Sequence, residues 1–283
     1  CRFPIKLLSE QQRLGKSHAL NTALEHADGE IIATSDADSF WEPDALLKAV
    51  SYFADPSVGA VTGRELLTNL DKNVYTLSEG VYRNFYYTLR LGESKLGSTL
   101  IFQGELSLYR KNALNKFEDK AGYSDDTGTV INMISKGYRC IFVPEASFQD
   151  AAASSLGGRL MVKSRRAQHL IAGIIQSVKF KITNKLALSS TVVLFNFYMH
   201  VISPILLLVV MFVGVATIVL YFQFLWFLLL IGVIPLVLQK SRLFVMSYLT
   251  SNVALIIGLL RHLFGKKEAT WHKIEEMRTD FKQ

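Results

Sequence analysis

The sequence predicts an α/β layer domain over residues 1–150 that continues into a membrane-bound half. Three observations carry this. Up to residue 150, apolar positions at helical spacing alternate with short strand-like runs. No Asp or Glu occurs between Asp150 and Glu268, and residues 187–238 carry no charged side chain at all. Of the 283 residues, 50% are hydrophobic, the mean hydropathy is +0.24, and the composition is split too sharply for one soluble globule.

The elements follow in order. Ala19, Leu20, Ala23, Leu24 and Ala27 recur at helical spacing over 16–27, and Asp28-Gly29 marks the stop. Ile31, Ile32 and Ala33 predict a strand that ends at Ser35-Asp36-Ala37-Asp38, so these acids fall at a strand's C-terminal end, the edge where open α/β sheets bind ligands. Pro43 suits the first turn of a helix carrying Leu46, Leu47, Val50 and Phe53, and 58–62 reads as the next strand. Val74, Leu77, Val81, Phe85 and Leu89 predict a longer amphipathic helix. Short strands are expected at 100–102 and 106–109, around Gln103-Gly104-Glu105. After Asp125-Asp126 come a helix through Val130, Met133 and Ile134, a stop at Gly137, and a strand over 139–143 closed by Pro144.

Past residue 156, Leu160, Ile171, Ile174, Ile175 and Val178 alternate with basic residues, the pattern of a helix lying on a bilayer surface. The expected organisation is a catalytic unit over 1–150, a basic interfacial segment over 151–186, membrane helices over 187–264 and a charged tail over 265–283. The uncharged run is long enough for a hairpin of two spans of about 20 residues each, with the turn near Tyr221 and Phe224. Residues 243–264 form a third candidate, weakened by Ser247, Thr250, Ser251, Asn252 and Arg261. A cytosolic catalytic half with three spans would place Lys266 and Lys267 outside, against the positive-inside rule; either the third segment is interfacial or re-entrant, or a boundary shifts.

The net charge of +7 raises nucleic acid as a partner. The cations Arg159, Lys163, Arg165, Arg166, Lys179, Lys181 and Lys185 instead cluster before the apolar run, where membrane topology places them, so no nucleic acid is expected and an integral protein of the cell membrane with a cytosolic catalytic half is. Cys1 and Cys140 make neither a disulfide framework nor a zinc site. The chain opens at Cys1 without a signal-peptide pattern, and an N-terminal piece is expected to be missing.

The chemistry lies in the acids and in two basic groups. Asp36 and Asp38, freed from strand alternation by the loop, can both reach one hard cation such as Mg²⁺ or Mn²⁺, with phosphate oxygens completing the shell. Such a triplet also arises as a solvated turn. Asp125 and Asp126 could supply a carboxylate that accepts a proton from a hydroxyl, or serve as an ordinary helix cap. Lys16, after Gly15 at a helix start, is placed to touch phosphate, and Arg165 and Arg166 could close over a diphosphate or attach to anionic lipid.

In order, these pieces resemble the family 2 inverting glycosyltransferases, the group of cellulose, chitin and hyaluronan synthases. Arg13-Leu14-Gly15-Lys16 with Ala19-Leu20-Asn21 looks like the stretch before that family's metal strand, and Asp36-Ala37-Asp38 matches its DxD segment. Val58-Gly59-Ala60-Val61-Thr62-Gly63 is similar to the strand beyond, and Gln103-Gly104-Glu105 to the acceptor-side loop. Ser124-Asp125-Asp126-Thr127 falls where the family has its general base, and Trp271 to Arg278 resembles its tail. The resemblance implies a GT-A (Rossmann-like) domain truncated at its front, an interfacial helix and C-terminal transmembrane helices. It implies Asp126, beside Asp125, as the base, and a cation at Asp36 and Asp38. It also implies a nucleotide diphosphate sugar, a UDP-sugar by family habit, bound with Lys16, Asp36, Arg165 and Arg166. The acceptor would be a glycan or a lipid-linked sugar at the membrane lipid. The family's Gln-x-x-Arg-Trp would fall at Lys163-Ser164-Arg165-Arg166-Ala167, which keeps the arginine and lacks Gln and Trp, so transfer of one or a few sugars stands beside polymer synthesis. A non-catalytic membrane scaffold with a degenerate transferase domain is the alternative from another class.

Overall fold

The computed structural model describes residues 4–120, 122–222 and 238–265. Cys1, residues 223–237 of the uncharged run and the 266–283 tail with Trp271 lie outside the described residues.

Five strands form one mixed sheet: β1 (Ile31–Thr34), β2 (Phe40–Trp41), β3 (Val58–Leu67), β4 (Ser107–Arg110) and β5 (Arg139–Asp150), in the order β1-β4-β3-β5-β2. Only the β3 and β5 pair is parallel. Ala60 stands opposite Tyr109 and Cys140, whereas Val61 stands opposite Leu108 and Ile141. Successive strand residues face opposite ways, so the two rungs feed two cores. The first joins Val130, Ile131 and Ile134 of helix α4 (Asp125–Ser135), and the second joins Ala45 and Ala49 of helix α2 (Ala45–Ser51). Helix α1 (Lys16–Leu24) packs Leu20 and Leu24 on the first core and gives way to a turn before Ala27.

Several expectations change. In α2 the buried face is Ala45, Ala49 and the following Phe53, while Leu46 and Leu47 are exposed. The strand expected to close at Pro144 runs on to Asp150, because the β3 and β5 pairing slips between Thr62 opposite Phe142 and Arg64 opposite Ser147. That irregularity holds Pro144, which has no N–H for a ladder. Residues 100–102 are not a strand. The Ile101 amide bonds to Thr99 Oγ1 at 3.3 Å and the Gln103 amide to Thr62 Oγ1 at 3.1 Å, so hydroxyls replace the ladder.

Helix α3 (Val74–Lys95) is amphipathic in the reverse sense to the one expected. Thr76, Glu79, Tyr86, Arg90 and Glu93 are buried at spacings of three, seven, four and three, and Val74, Leu77 and Phe85 face outward. Helix α5 (Leu156–Ile182), expected on a bilayer surface, turns Ile171 and Ile174 into the protein, packing on α4 and on helix α8 (Gln239–Phe264).

Among the described residues, two helices are long and apolar enough to cross a membrane, Ser190–Leu220 and Gln239–Phe264. The first comprises α6 (Ser190–Phe197), a π turn over Tyr198–Ile202 and α7 (Ser203–Leu220). It is 31 residues long, well over half of the uncharged run, so the hairpin's expected second member falls largely outside the described residues. In α8, the third candidate, Ser247 and Asn252 are buried, as are Ala254 and Gly258, which explains polar residues in an apolar helix. Leu186, Leu188, Val192 and Val193 belong to the same core cluster as α4, so packing runs across the boundary expected at 186.

Candidate active site

Gly15 precedes α1 with φ 103°, a left-handed conformation that suits glycine, and delivers Lys16 as the first helical residue. The Lys16 ammonium reaches Oδ1 of Asp36, just beyond the end of β1, at 2.5 Å. It also lies 3.7 Å from Oδ2 of Asp125, in the first turn of α4. Burial opposes the ammonium, but Asp125 and Asp36 outweigh it and hold its pKa above the ordinary lysine value. Burial raises Asp36, against the pull of Lys16.

Asp126 sits beside this cluster. Its Oδ1 accepts from the Thr127 amide at 2.5 Å and from the Ser124 hydroxyl. Burial first, and the charge of Asp125 second, push its pKa up to about 7, with Lys16 opposing. A carboxyl with a pKa near neutrality is suited to exchange protons. Gly104 closes the cluster: a Cβ there would stand 2.8 Å from Lys16 Nζ and 3.9 Å from Asp126 Oδ2.

Arg166 of α5 donates to Oε1 of Glu105 at 2.8 Å, so the Gln103-Gly104-Glu105 loop and the basic segment meet directly. Burial opposes the Arg166 charge, and Glu105, Glu65 and Asp150 more than offset it. Arg165 lines the same pocket, where burial and neighbouring Arg166 lower its pKa to about 10. The pocket holds about 790 Å³, within the usual range for small-molecule sites.

Lys16, Asp36, Asp125, Asp126, Arg165 and Arg166 therefore line one cavity. Asp38 does not: it is exposed and outside the lining. Among the described residues no group of three or more His, Cys, Asp or Glu is arranged to hold a metal. The donor chemistry nevertheless suits a hard divalent cation, since carboxylate oxygens of Asp36 and Asp125 already converge on one positive charge, the Lys16 ammonium.

Sequence reasoning did not single out Glu79, Arg83 and Arg90 on the polar side of the pocket, and took Arg159 beside them only as a mark of membrane topology. The signal was present as the polar stripe of α3, read there as the solvent face.

The glycosyl transferase family 2 profile matches residues 2–117. Among solved structures, a mannosyltransferase of Pyrobaculum calidifontis in complex with GDP-Man and Mn²⁺ is 30% identical, superposes with a TM-score of 0.74, and matches over 92% of this chain and 70% of its own. The chain belongs to glycosyl transferase family 2. Its mixed α/β fold is that of GT-A-like members of this family. An N-acetylglucosaminyltransferase of Neorhizobium galegae is 28% identical over 178 residues, which are 59% of this chain and 41% of the relative. A hyaluronan synthase of Streptococcus pyogenes is 34% identical over 101 residues, 35% of this chain and 24% of the synthase. The chain thus spans less than half the length of these curated family 2 relatives.

Proposed function

We propose that the chain transfers a hexosyl unit, with inversion, from a nucleotide diphosphate sugar to a hydroxyl of a glycan or lipid-linked acceptor at the membrane. The observation that carries this reading is the convergence of Lys16, Asp36, Asp125 and Asp126 in one pocket with Glu105 and Arg166.

Asp126 accepts the proton of the acceptor hydroxyl as its oxygen attacks the anomeric carbon, and the bond from that carbon to the diphosphate oxygen breaks on the opposite face. One displacement inverts the centre. Lys16 and Arg166 offer positive charge to the departing diphosphate, where charge develops in the transition state. Mg²⁺ or Mn²⁺ would be held by Asp36, beside Asp125 and with Asp38 outside the cavity, and would supply Lewis-acid stabilisation of the leaving group. Asp125 raises the basicity of Asp126. The mannosyltransferase bound to GDP-Man puts GDP-sugars beside UDP-sugars as donors to test. The apolar helices Ser190–Leu220 and Gln239–Phe264 support a reaction at a membrane, and the basic residues before them support a cytosolic catalytic half.

The test is transfer from a panel of UDP- and GDP-sugars by the full chain in lipid, with and without Mn²⁺, followed by the anomeric configuration of the product. One donor is expected to give an inverted product with Mn²⁺ only. A retained configuration, or equal transfer in chelator, would sink this mechanism.

A further inference from the structure

The pocket has an inner lobe that the transfer chemistry does not use. Its wall is the buried polar stripe of α3, facing α5 and α8. Glu79 is ringed there by Lys163 Nζ at 3.0 Å, Arg159 Nη2 at 3.1 Å and Arg83 Nε at 3.2 Å. Burial opposes the Glu79 charge, but the three cations hold its pKa at about 2. Glu65 also pairs with Arg83, so three cations face two acids, and burial pushes Glu65 towards its neutral form.

The surplus positive charge has two open donors. Arg159 is 2% exposed; its Nη2 bonds Glu79 and Ser78, while its Nε and Nη1 have no partner among the described residues. An arginine cannot shed its proton, so such donors need an acceptor. Lys163 Nζ is 3.2 Å from the ring centroid of Tyr82, a cation held against an aromatic face at the lobe. The far side is lined by Ser251, Ala254 and Leu255 of α8, a helix apolar enough to cross a membrane. An oxyanion joined to an apolar chain fits that combination of buried cations and membrane helix.

We propose that the inner lobe binds a monophosphate carried on an amphiphile, gripped by Arg159 and Lys163 with its apolar chain along Ala254 and Leu255. A phosphate ester brings up to three acceptor oxygens to these donors. The proposal rests on the transferase reading only in making this amphiphile the anchor of a lipid-linked acceptor; the binding itself does not depend on transfer.

The experiment uses the full chain released from phosphatidylcholine vesicles doped with phosphatidic acid or with diacylglycerol, and counts retained lipid by native mass spectrometry. Phosphatidic acid is expected to be retained about tenfold more than diacylglycerol. Arg159→Met abolishes the preference, Arg159→Lys keeps part of it, and Lys163→Gln weakens it. Calorimetry with Mn²⁺ and nucleotide, unchanged in Arg159→Met, shows that the variant folds. Equal retention of the two lipids, or a preference undiminished in a folded Arg159→Met, overturns the site. Displacement of the lipid by equimolar inorganic phosphate overturns the amphiphile and leaves a soluble anion. Wild-type chain that retains phosphatidic acid yet binds no nucleotide supports the lobe while sinking the transferase reading.

Discussion

The ammonium of Lys16 lies 2.5 Å from Oδ1 of Asp36, which joins the start of α1 to the end of β1 at the floor of the pocket. The same ammonium neutralises part of Asp125 and lowers the pKa of Asp126, so one side chain serves both halves of the site. Lys16→Met is expected to reduce kcat/KM at least about a hundredfold, the scale of losing a preorganised charge at a leaving group. It should also move the ascending limb of the pH profile to higher pH, because Asp126 loses its nearest cation. Steady-state kinetics across pH measures both effects.

The wild-type pH profile follows from Asp126 itself. Its pKa is raised to about 7, and the form that accepts a proton is the carboxylate. Activity should therefore be lost as pH falls, with kcat/KM dropping about tenfold per unit below that value and levelling above it. A flat profile through neutrality would remove Asp126 as the base.

Gly104→Ala tests how tightly the cluster is packed. The added methyl would stand 2.8 Å from Lys16 Nζ, and the lysine tip is the group able to yield. The expected outcome is a loss of about ten- to a hundredfold in kcat/KM. Tm should be nearly unchanged, since no backbone atom is struck.

Glu79→Gln probes the buried charges of α3. Arg83, Arg159 and Lys163 would then face one another without their shared carboxylate, at a cost of about 3 kcal/mol. Thermal unfolding in detergent should show a clear fall in Tm.

Gly258→Ala addresses the contact between α8 and α5. A Cβ there would meet Ala167 Cβ at 2.7 Å and the Gln168 amide nitrogen at 2.8 Å. Backbone cannot step aside as a side-chain tip can, so the helices must part, at about 1–3 kcal/mol. Thermal unfolding in detergent should show the fall in Tm.

The acids and the sheet were legible because their signals are local. Ile31, Ile32 and Ala33 announce a strand, and the loop after it can carry Asp36 in few places. Helix α4 takes in Asp125 and Asp126 as its first turn and stops before Gly137, whose φ is 92°, where the spacing put the stop. What stayed hidden was set by partners far along the chain. The polar face of α3 reads as solvent-facing until α5 brings Arg159 and Lys163 onto Glu79, some 80 residues later. The run of β5 past Pro144 depends on a slip against β3 that no local pattern signals. The Gln103-Gly104-Glu105 loop was legible by resemblance, but the pairing of Glu105 with Arg166, 61 residues away, was not.

Single-turnover transfer by Asp126→Asn, set beside its Mn²⁺ and nucleotide binding, tests the central claim most directly. The expected result is unimpaired binding with transfer slowed by at least about a thousandfold, since the proton of the acceptor hydroxyl has lost its base. Transfer at the wild-type rate by Asp126→Asn would contradict it.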